Sequence, residues 1–581
     1  MALFLFMPVV LAARQNQYSG YIDKEKNVGK KVVDPVLAQR GCILDRYGEE
    51  LAGCAVRYEI FANPVRMAKQ GVDIGKAAGL LADILGEPPV AIEGLLRTGQ
   101  THVVLCSSPN GAQREKISKL KDNPDYAELF KEVGIERFYE RTYAAPGMPG
   151  NILGWVRRDE GQLVGVEGLE LTLDVNLKGH DGKRIGLRGV NGLPIMSSFQ
   201  VLEQPIKGDD VILTFDREIQ LICYEAISHW VQKTGAKCGA AIVTKDGTGD
   251  FLAIAQYPAV DPAEYAKCVD NQIACSDFAC RSLYEIGSAG KPFLAAMGIS
   301  EGRLSPQSSF FVDNHSISLD GYTIGEYHTI WPSSGNHSLE EIIIRSSNIG
   351  MSRVGLSVGE ATFREMFEKF GFTTQPEIFL LQMPEAKLPS PDKHLSKIEM
   401  ANMSFGQGYA ITPAMLVLGF NAIASDGWFY PGRLLCGVKD GVTGRVRLTD
   451  PAEGWRAISE DASSQMNGML HKVTSDPSGT GKNAACEGYN VCGKTGTGQV
   501  ASPRGGYYKE DEHYYKVTFA GYGPSEDPRY TVVVVLEKPR GGLKYNSGGK
   551  AAAPCFKQIF KALMDLDIRR SAEEGSLQAV D

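Results

Sequence analysis

The 581-residue chain has no surplus of basic charge: 61 Lys and Arg face 69 Asp and Glu, a formal net of −8. Proteins that grip nucleic acid need a basic stripe to neutralise phosphates, so that class drops out. Cysteine occurs 12 times, yet no two cysteines form a C-x-x-C. The tightest pairs, Cys275/Cys280 and Cys486/Cys492, have no histidine cluster beside them, which argues against a zinc site. A dense disulfide scaffold is missing too. Buried thiols are expected, and no metal or cofactor is assigned. Long apolar runs are also lacking. The opening "MALFLFMPVVLAA" is 13 residues, about 20 Å as a helix against the ~30 Å of a hydrocarbon core. No Lys or Arg precedes it and Arg14 follows, so it lacks the basic start of a signal peptide. The expectation is a truncated membrane anchor over residues 1–14 that begins upstream of Met1, with everything after Arg14 outside the membrane. No internal repeat or low-complexity tract is evident.

What is present describes a globular protein of two or more domains: 43% apolar and 22% charged residues in a chain too long for one ordinary core. Residues 15–205 mix short strand-like runs with loops and helices. "GAAIVTKDGTGDFLAIAQYP" (239–258) then reads as a hairpin, two apolar runs around a turn of Gly, Asp and Thr. A mostly helical stretch follows to about 475. Three strand candidates close it, "NVCGKTGTGQV", "YYKVTFAGYG" and "RYTVVVVLEKP", and then an amphipathic helix, "PCFKQIFKALMDL". Two strands early, three late and helices between them predict an α+β fold with one antiparallel sheet. The segment 571–581 reads as a flexible tail.

Three short motifs carry chemistry. In "YEIGSAGKPFLAAMG" (284–298), Gly287 and Pro292 frame a helix expected to start at Ser288, because proline is tolerated only in the first turn. Lys291 then lies one turn on, on the same face. A lysine made neutral by burial or by a second cation is a base able to activate the serine. Among the other S-x-x-K matches, two are incidental: Ser390/Lys393 sits between prolines, and Ser118/Lys121 lies in a charged, solvated helix. In "HSLEEIIIRSSNIG", Ser338 and Glu341 form a capping box, and the helical pattern breaks at Ser346-Ser347-Asn348. There Ser346 is placed to shuttle a proton and Asn348 to hold a substrate amide and the lysine. Ser334-Gly335-Asn336 is a weaker match. The third motif is Lys494-Thr495-Gly496-Thr497 on a predicted strand. Lys494 offers a cation for a carboxylate, the threonines offer hydroxyls, and Gly496 offers room for a ligand backbone. Its decoy, Lys233-Thr234-Gly235, reads as a helix C-cap.

In that order, S-x-x-K, S-x-N and K-T-G resemble the active-serine signature of penicillin-binding proteins and β-lactamases. The resemblance extends further. "RGCILDRYGEELA" (40–52), with Arg40, Gly41, Asp45, Arg46 and Gly48, is similar to the box opening the non-catalytic domain of class B penicillin-binding proteins. Arg141 in "RTYAAPG" and Gly165 and Glu170 in "GVEGLE" resemble that domain's later boxes. "LTFDREIQ" (213–220) resembles the start of the family's transpeptidase domain, and "SFGQGYAITPAML" (404–416) its helix after S-x-N.

The resemblance implies an elongated pedestal over 15–205 and a transpeptidase with a five-stranded antiparallel sheet over 206–570. It also implies a serine D,D-transpeptidase that cross-links peptidoglycan stem peptides at the outer face of the cell membrane and binds β-lactams covalently. Ser288 is then the nucleophile, Lys291 its base, Ser346 and Asn348 its partners. The N–H groups of Ser288 and Thr497 are the oxyanion donors, and Lys494, Thr495, Gly496 and Thr497 the substrate site. Fewer than 40 residues precede Arg40, so glycan strands are expected from a membrane glycosyltransferase. Arg40, Asp45, Arg141 and Glu170 then either dock that partner or form ion pairs inside the pedestal. Two departures stand out: Ile286-Gly287 replaces the usual Pro-Gly, and Ala289-Gly290 replaces a Thr-Phe-like pair. Smaller residues are expected to leave the nucleophile pocket less filled. A β-lactamase or D,D-carboxypeptidase, or a non-catalytic scaffold of a wall-synthesis complex, are the competing readings. The process served is then division, elongation or sporulation.

Overall fold

The computed structural model describes residues 31–144, 150–159, 161–188, 194–259, 262, 264, 277–313, 315–326, 333–374, 383–499, 515–540 and 544–578. The anchor expected over residues 1–14 lies outside them. Among the described residues no helix is long and apolar enough to cross a membrane.

The centre is a five-stranded antiparallel sheet: β1 (Cys238–Lys245), β2 (Phe251–Tyr257), β3 (Cys492–Gln499), β4 (Tyr515–Gly523) and β5 (Tyr530–Glu537), in the order β2-β1-β5-β4-β3. "YTVVVVLE" runs apolar without alternation because both faces of the sheet are covered. Val533 and Val535 join one core, and Val532 and Val534 the other. Helices α1 (Arg217–Thr234) and α7 (Ala552–Gln578) cover the second face. Helices α2 (Lys291–Ser300), α5 (Pro413–Ala424) and α6 (Glu460–Ser475) cover the first, all 12 residues of α5 being buried. Between α2 and α5 come α3 (Leu339–Arg345) and α4 (Asn348–Val358). Two expectations change here. Helix α7 continues to Gln578, past the flexible tail expected from 571. "SFGQGYAITPAML" is a glycine turn and a bridge before it is a helix, since α5 begins only at Pro413 behind its cap Thr412.

The pedestal does not end cleanly at residue 205. Strand Asp210–Leu213 pairs in parallel with Ile43–Leu44 and antiparallel with Leu435–Lys439. A seven-stranded sheet therefore mixes early and late segments of the chain. One core likewise joins Ile43, Leu51, Leu169 and Leu177 of the pedestal to the transpeptidase interior, while the helices around Leu81 and Ile117 pack a separate lobe.

Four charged residues of the pedestal boxes, Arg40, Asp45, Arg141 and Glu170, are buried and engaged inside the protein, whereas Glu49 and Glu50 are exposed. Arg40 Nε donates to Glu170 Oε2 at 2.7 Å, and its Nη1 donates to Asp174 Oδ1 at 2.6 Å. Arg141 Nε donates to the other Glu170 oxygen at 2.6 Å, and its Nη1 donates to the Gly41 carbonyl at 2.7 Å. Asp45 accepts from the amides of Tyr47 and Glu49 on one oxygen, and from Arg217 N, at the start of α1, on the other. Arg46 N donates to the Phe215 carbonyl at 2.9 Å. The glycines allow close backbone approach: a Cβ on Gly41 would lie 1.8 Å from the Asp209 carbonyl oxygen, and one on Gly165 would lie 2.0 Å from that of Glu170. With Arg40, Asp45, Arg141 and Glu170 at most 6% exposed, docking through these side chains gives way to the ion-pair role.

Candidate active site

The nucleophile turn differs from the expected helix start. Residues Gly287–Gly290 form a single 3-10 turn, and α2 begins at Lys291, with Pro292 in its first turn. Gly287 takes φ +57°, a conformation that a side chain strongly disfavours. Its N–H donates to the Gly406 carbonyl at 3.0 Å. Ser288 is half-buried at the surface of the turn, and Lys291 is fully buried beneath it.

The second motif lies against that lysine. Helix α3 starts at the predicted Ser338/Glu341 capping box and ends at Ser346 in a left-handed conformation, φ +62°. Helix α4 starts two residues later. The tight reversal turns three acceptors onto Lys291: its Nζ donates to the Ser346 carbonyl at 2.5 Å, to Ser346 Oγ at 3.3 Å and to Asn348 Oδ1 at 2.9 Å. None of these bonds goes to Ser288. Lys494, from the edge strand β3, approaches from the other side and donates to Ser346 Oγ at 2.8 Å. Ser346 thus links the two lysines.

Both lysines are 0% exposed, and a buried ammonium loses its hydration. Burial pulls the Lys291 pKa down to about 7, with the Glu326 carboxylate pulling the other way. Burial pushes Lys494 well below its usual range too, helped by the charge of Lys291. The site therefore holds one lysine that changes protonation near neutrality and a second whose ammonium form is disfavoured by burial and by its neighbour's charge.

Beside Lys494, Thr495 Oγ1 donates to Thr480 Oγ1 at 2.9 Å, and Thr497 is half-exposed. The room expected at Gly496 is taken by protein: a Cβ there would meet the Ile286 carbonyl oxygen at 2.7 Å and Ala289 Cβ at 3.1 Å. Gly498 does the same against the Glu285 carbonyl oxygen, at 2.1 Å. These glycines seat the nucleophile turn on β3.

The decoys stay apart. Thr234 ends α1 and Gly235 caps it at φ +63°, while Asn336 lies on a short strand. Lys121 Nζ donates to the Val133 carbonyl, and Lys393 Nζ to Glu399.

Residues 239–561 match the penicillin binding protein transpeptidase domain, and residues 35–213 match the penicillin-binding protein dimerisation domain. The chain is a class B penicillin-binding protein. Similar proteins include penicillin-binding protein PbpB of Mycolicibacterium smegmatis, 29% identical over 92% of this chain and 84% of that one. A second is PbpC of Pseudomonas aeruginosa, named as a probable peptidoglycan D,D-transpeptidase, 30% identical over 90% of this chain and 86% of that one. Stage V sporulation protein D of Bacillus subtilis is 28% identical over 92% and 79%. Among solved structures, penicillin binding protein 2X from Streptococcus thermophilus superposes with a TM-score of 0.78 at 22% identity, over 94% of this chain and 82% of that one.

Three residues of this penicillin-binding protein escaped the motif search. Tyr409 fills the space that Gly290 leaves: a Cβ on Gly290 would lie 2.4 Å from Tyr409 Oη. The pocket expected to be loosely filled is therefore occupied by a residue from the 404–416 segment. Thr480 supports Thr495, and Glu326 holds the S-S-N turn. None of the three belongs to a spaced motif, and their proximity to the site arises only on folding.

Proposed function

We propose that the chain cross-links peptidoglycan stem peptides by two-step acyl transfer through Ser288. The reading rests above all on one observation, a fully buried Lys291 with a pKa brought down to about 7, one turn from a half-exposed serine. Ser288 Oγ attacks the carbonyl carbon of the penultimate D-alanine of a D-Ala-D-Ala stem, and neutral Lys291 takes its proton. The oxyanion lies on the N–H groups of Ser288 and Thr497, each such donor contributing about 3 kcal/mol to the transition state. Because β3 is an edge strand, alternate amides face outward and are available to a ligand. The carbon–nitrogen bond then breaks, Ser346 passes the proton from Lys291 to the departing amine, and terminal D-alanine leaves. An amine of a neighbouring stem attacks the ester and regenerates Ser288. Thr495, Thr497 and Lys494 hold the terminal carboxylate, whose charge favours the ammonium form of Lys494; Asn348 holds the donor amide.

The glycan strands come from a separate membrane glycosyltransferase, and the catalytic domain works on the outer side of the cell membrane, tethered through the N-terminal segment. Penicillin mimics the donor and acylates Ser288.

The test is covalent labelling by a fluorescent penicillin. Ser288→Ala should abolish the adduct, whereas Ser118→Ala and Ser390→Ala should retain it. The wild-type adduct should persist for many minutes after free drug is removed, since a transferase gains by excluding water from its ester. Release within seconds, with turnover of added penicillin, would replace the transpeptidase reading with a β-lactamase.

A further inference from the structure

The S-S-N turn is held from outside by a carboxylate that no motif contains. A short hairpin, Ser316–Leu319 and Tyr322–Gly325, ends in Glu326. Ile317 and Ile324 pair across it and are each 6% exposed, which anchors the hairpin in the main core. From there Glu326 Oε1 accepts from Ser347 Oγ and from Ile349 N, the latter at 3.2 Å, and Glu326 Oε2 accepts from Asn348 N at 2.8 Å. Ser347 Oγ in turn accepts from Gly350 N at 2.9 Å. The first three amides of α4 are thus satisfied, two by Glu326 and one through Ser347. A carboxylate at this end also suits the helix dipole.

The consequence reaches the base. Asn348 takes its backbone position from Glu326, and its side chain holds Lys291 Nζ at 2.9 Å. Ser346, the other acceptor for Lys291, is the left-handed residue two positions before it, a backbone state that persists only where its surroundings enforce it.

We propose that Glu326 is the positioning residue of this active site, fixing the S-S-N turn so that Ser346 and Asn348 hold Lys291 ready to deprotonate Ser288. It acts through its neighbours and touches neither substrate nor nucleophile. The assignment rests on the acyl-transfer reading above and adds to it a residue that the three motifs do not supply. Two titratable groups face Lys291, Glu326 from the hairpin and Lys494 from β3. Glu326 favours the charged form and opposes the effect of burial.

The test compares wild type and Glu326→Gln in acylation by a fluorescent penicillin across pH. Glutamine keeps the size but offers one acceptor oxygen and a donor amide NH2, so it cannot serve Asn348 N and the Ser347–Ile349 pair together. The second-order rate constant at the alkaline plateau should fall at least tenfold, the scale seen when an orienting outer partner is lost. The acidic limb should move to lower pH, because Lys291 loses the anion that stabilises its proton. Counting labelled molecules at completion restricts the rate constant to folded protein, so a fold defect alone lowers the labelled fraction and leaves both readouts unmoved. An unchanged rate constant or an unmoved acidic limb overturns the assignment. If the wild-type chain itself is not labelled on Ser288, the acyl-transfer reading fails first, independently of Glu326.

Discussion

Taking the Lys291 ammonium out of water brings its pKa to about 7, against an opposing pull from Glu326. A base must be neutral to accept a proton, so protonation below that value removes it. The acylation rate constant should therefore rise about tenfold per pH unit on the acidic side, with its midpoint near neutrality, and level off above. Stopped-flow acylation between about pH 5 and pH 9 reads this directly, and a flat profile would contradict a titrating lysine base. Gly290 is the second residue whose role is local. An Ala there would place Cβ 2.4 Å from Tyr409 Oη, with the Gly406 backbone 3.3 Å away. Gly290→Ala should slow acylation about tenfold by displacing the turn. Tyr409 Oη is buried with no hydrogen-bond partner among the described residues, so Tyr409→Phe removes the clash without leaving a polar group unpaired. A double-mutant cycle on the acylation rate should show Tyr409→Phe rescuing Gly290→Ala.

At the scale of elements, the active site is a meeting of three segments remote in sequence: the turn before α2, the α3–α4 reversal and the edge strand β3. Glycines on β3 set how closely the first meets the third. A Cβ on Gly498 would stand 2.1 Å from the Glu285 carbonyl oxygen, a backbone atom that cannot swing aside. Gly498→Ala should push the nucleophile turn off the strand and reduce acylation roughly 100-fold, the effect of about 1 Å of misplacement. Gly468 is a control, because it lies inside α6 with nothing within 4 Å of an added Cβ. Gly468→Ala should leave acylation unchanged and raise stability by about 0.5–1 kcal/mol.

For the whole molecule, the pedestal ion network and the shared sheet make the early and late parts of the chain depend on each other. Glu170, 0% exposed, stands between Arg40 and Arg141. Its removal leaves two guanidiniums buried without that anion, a loss of roughly 3–5 kcal/mol where a buried pair is broken. Glu170→Ala should lower stability in denaturant by that amount. It should do so in the transition followed through the penicillin-labelled domain as well, because one core crosses from Leu169 to the sheet. A drop confined to a separate pedestal transition, with the labelled domain unaffected, would show that the two parts fold independently.

Local and periodic signals sufficed for the five strands, the Ser338 capping box, the break at Ser346–Asn348 and the Gly235 cap. They rest on side-chain spacing and backbone preference, which act within a few residues. The three motifs were legible for the same reason, each being compact in the chain. Folding alone decided the rest: that Ser346 links Lys291 to Lys494, that Tyr409 fills the space at Gly290, and that Arg40, Asp45, Arg141 and Glu170 are internal. Folding also revealed that Glu326 holds the S-S-N turn. Each of these is a contact between segments far apart in the chain, with energetics set by burial, and burial is a property of the packed molecule.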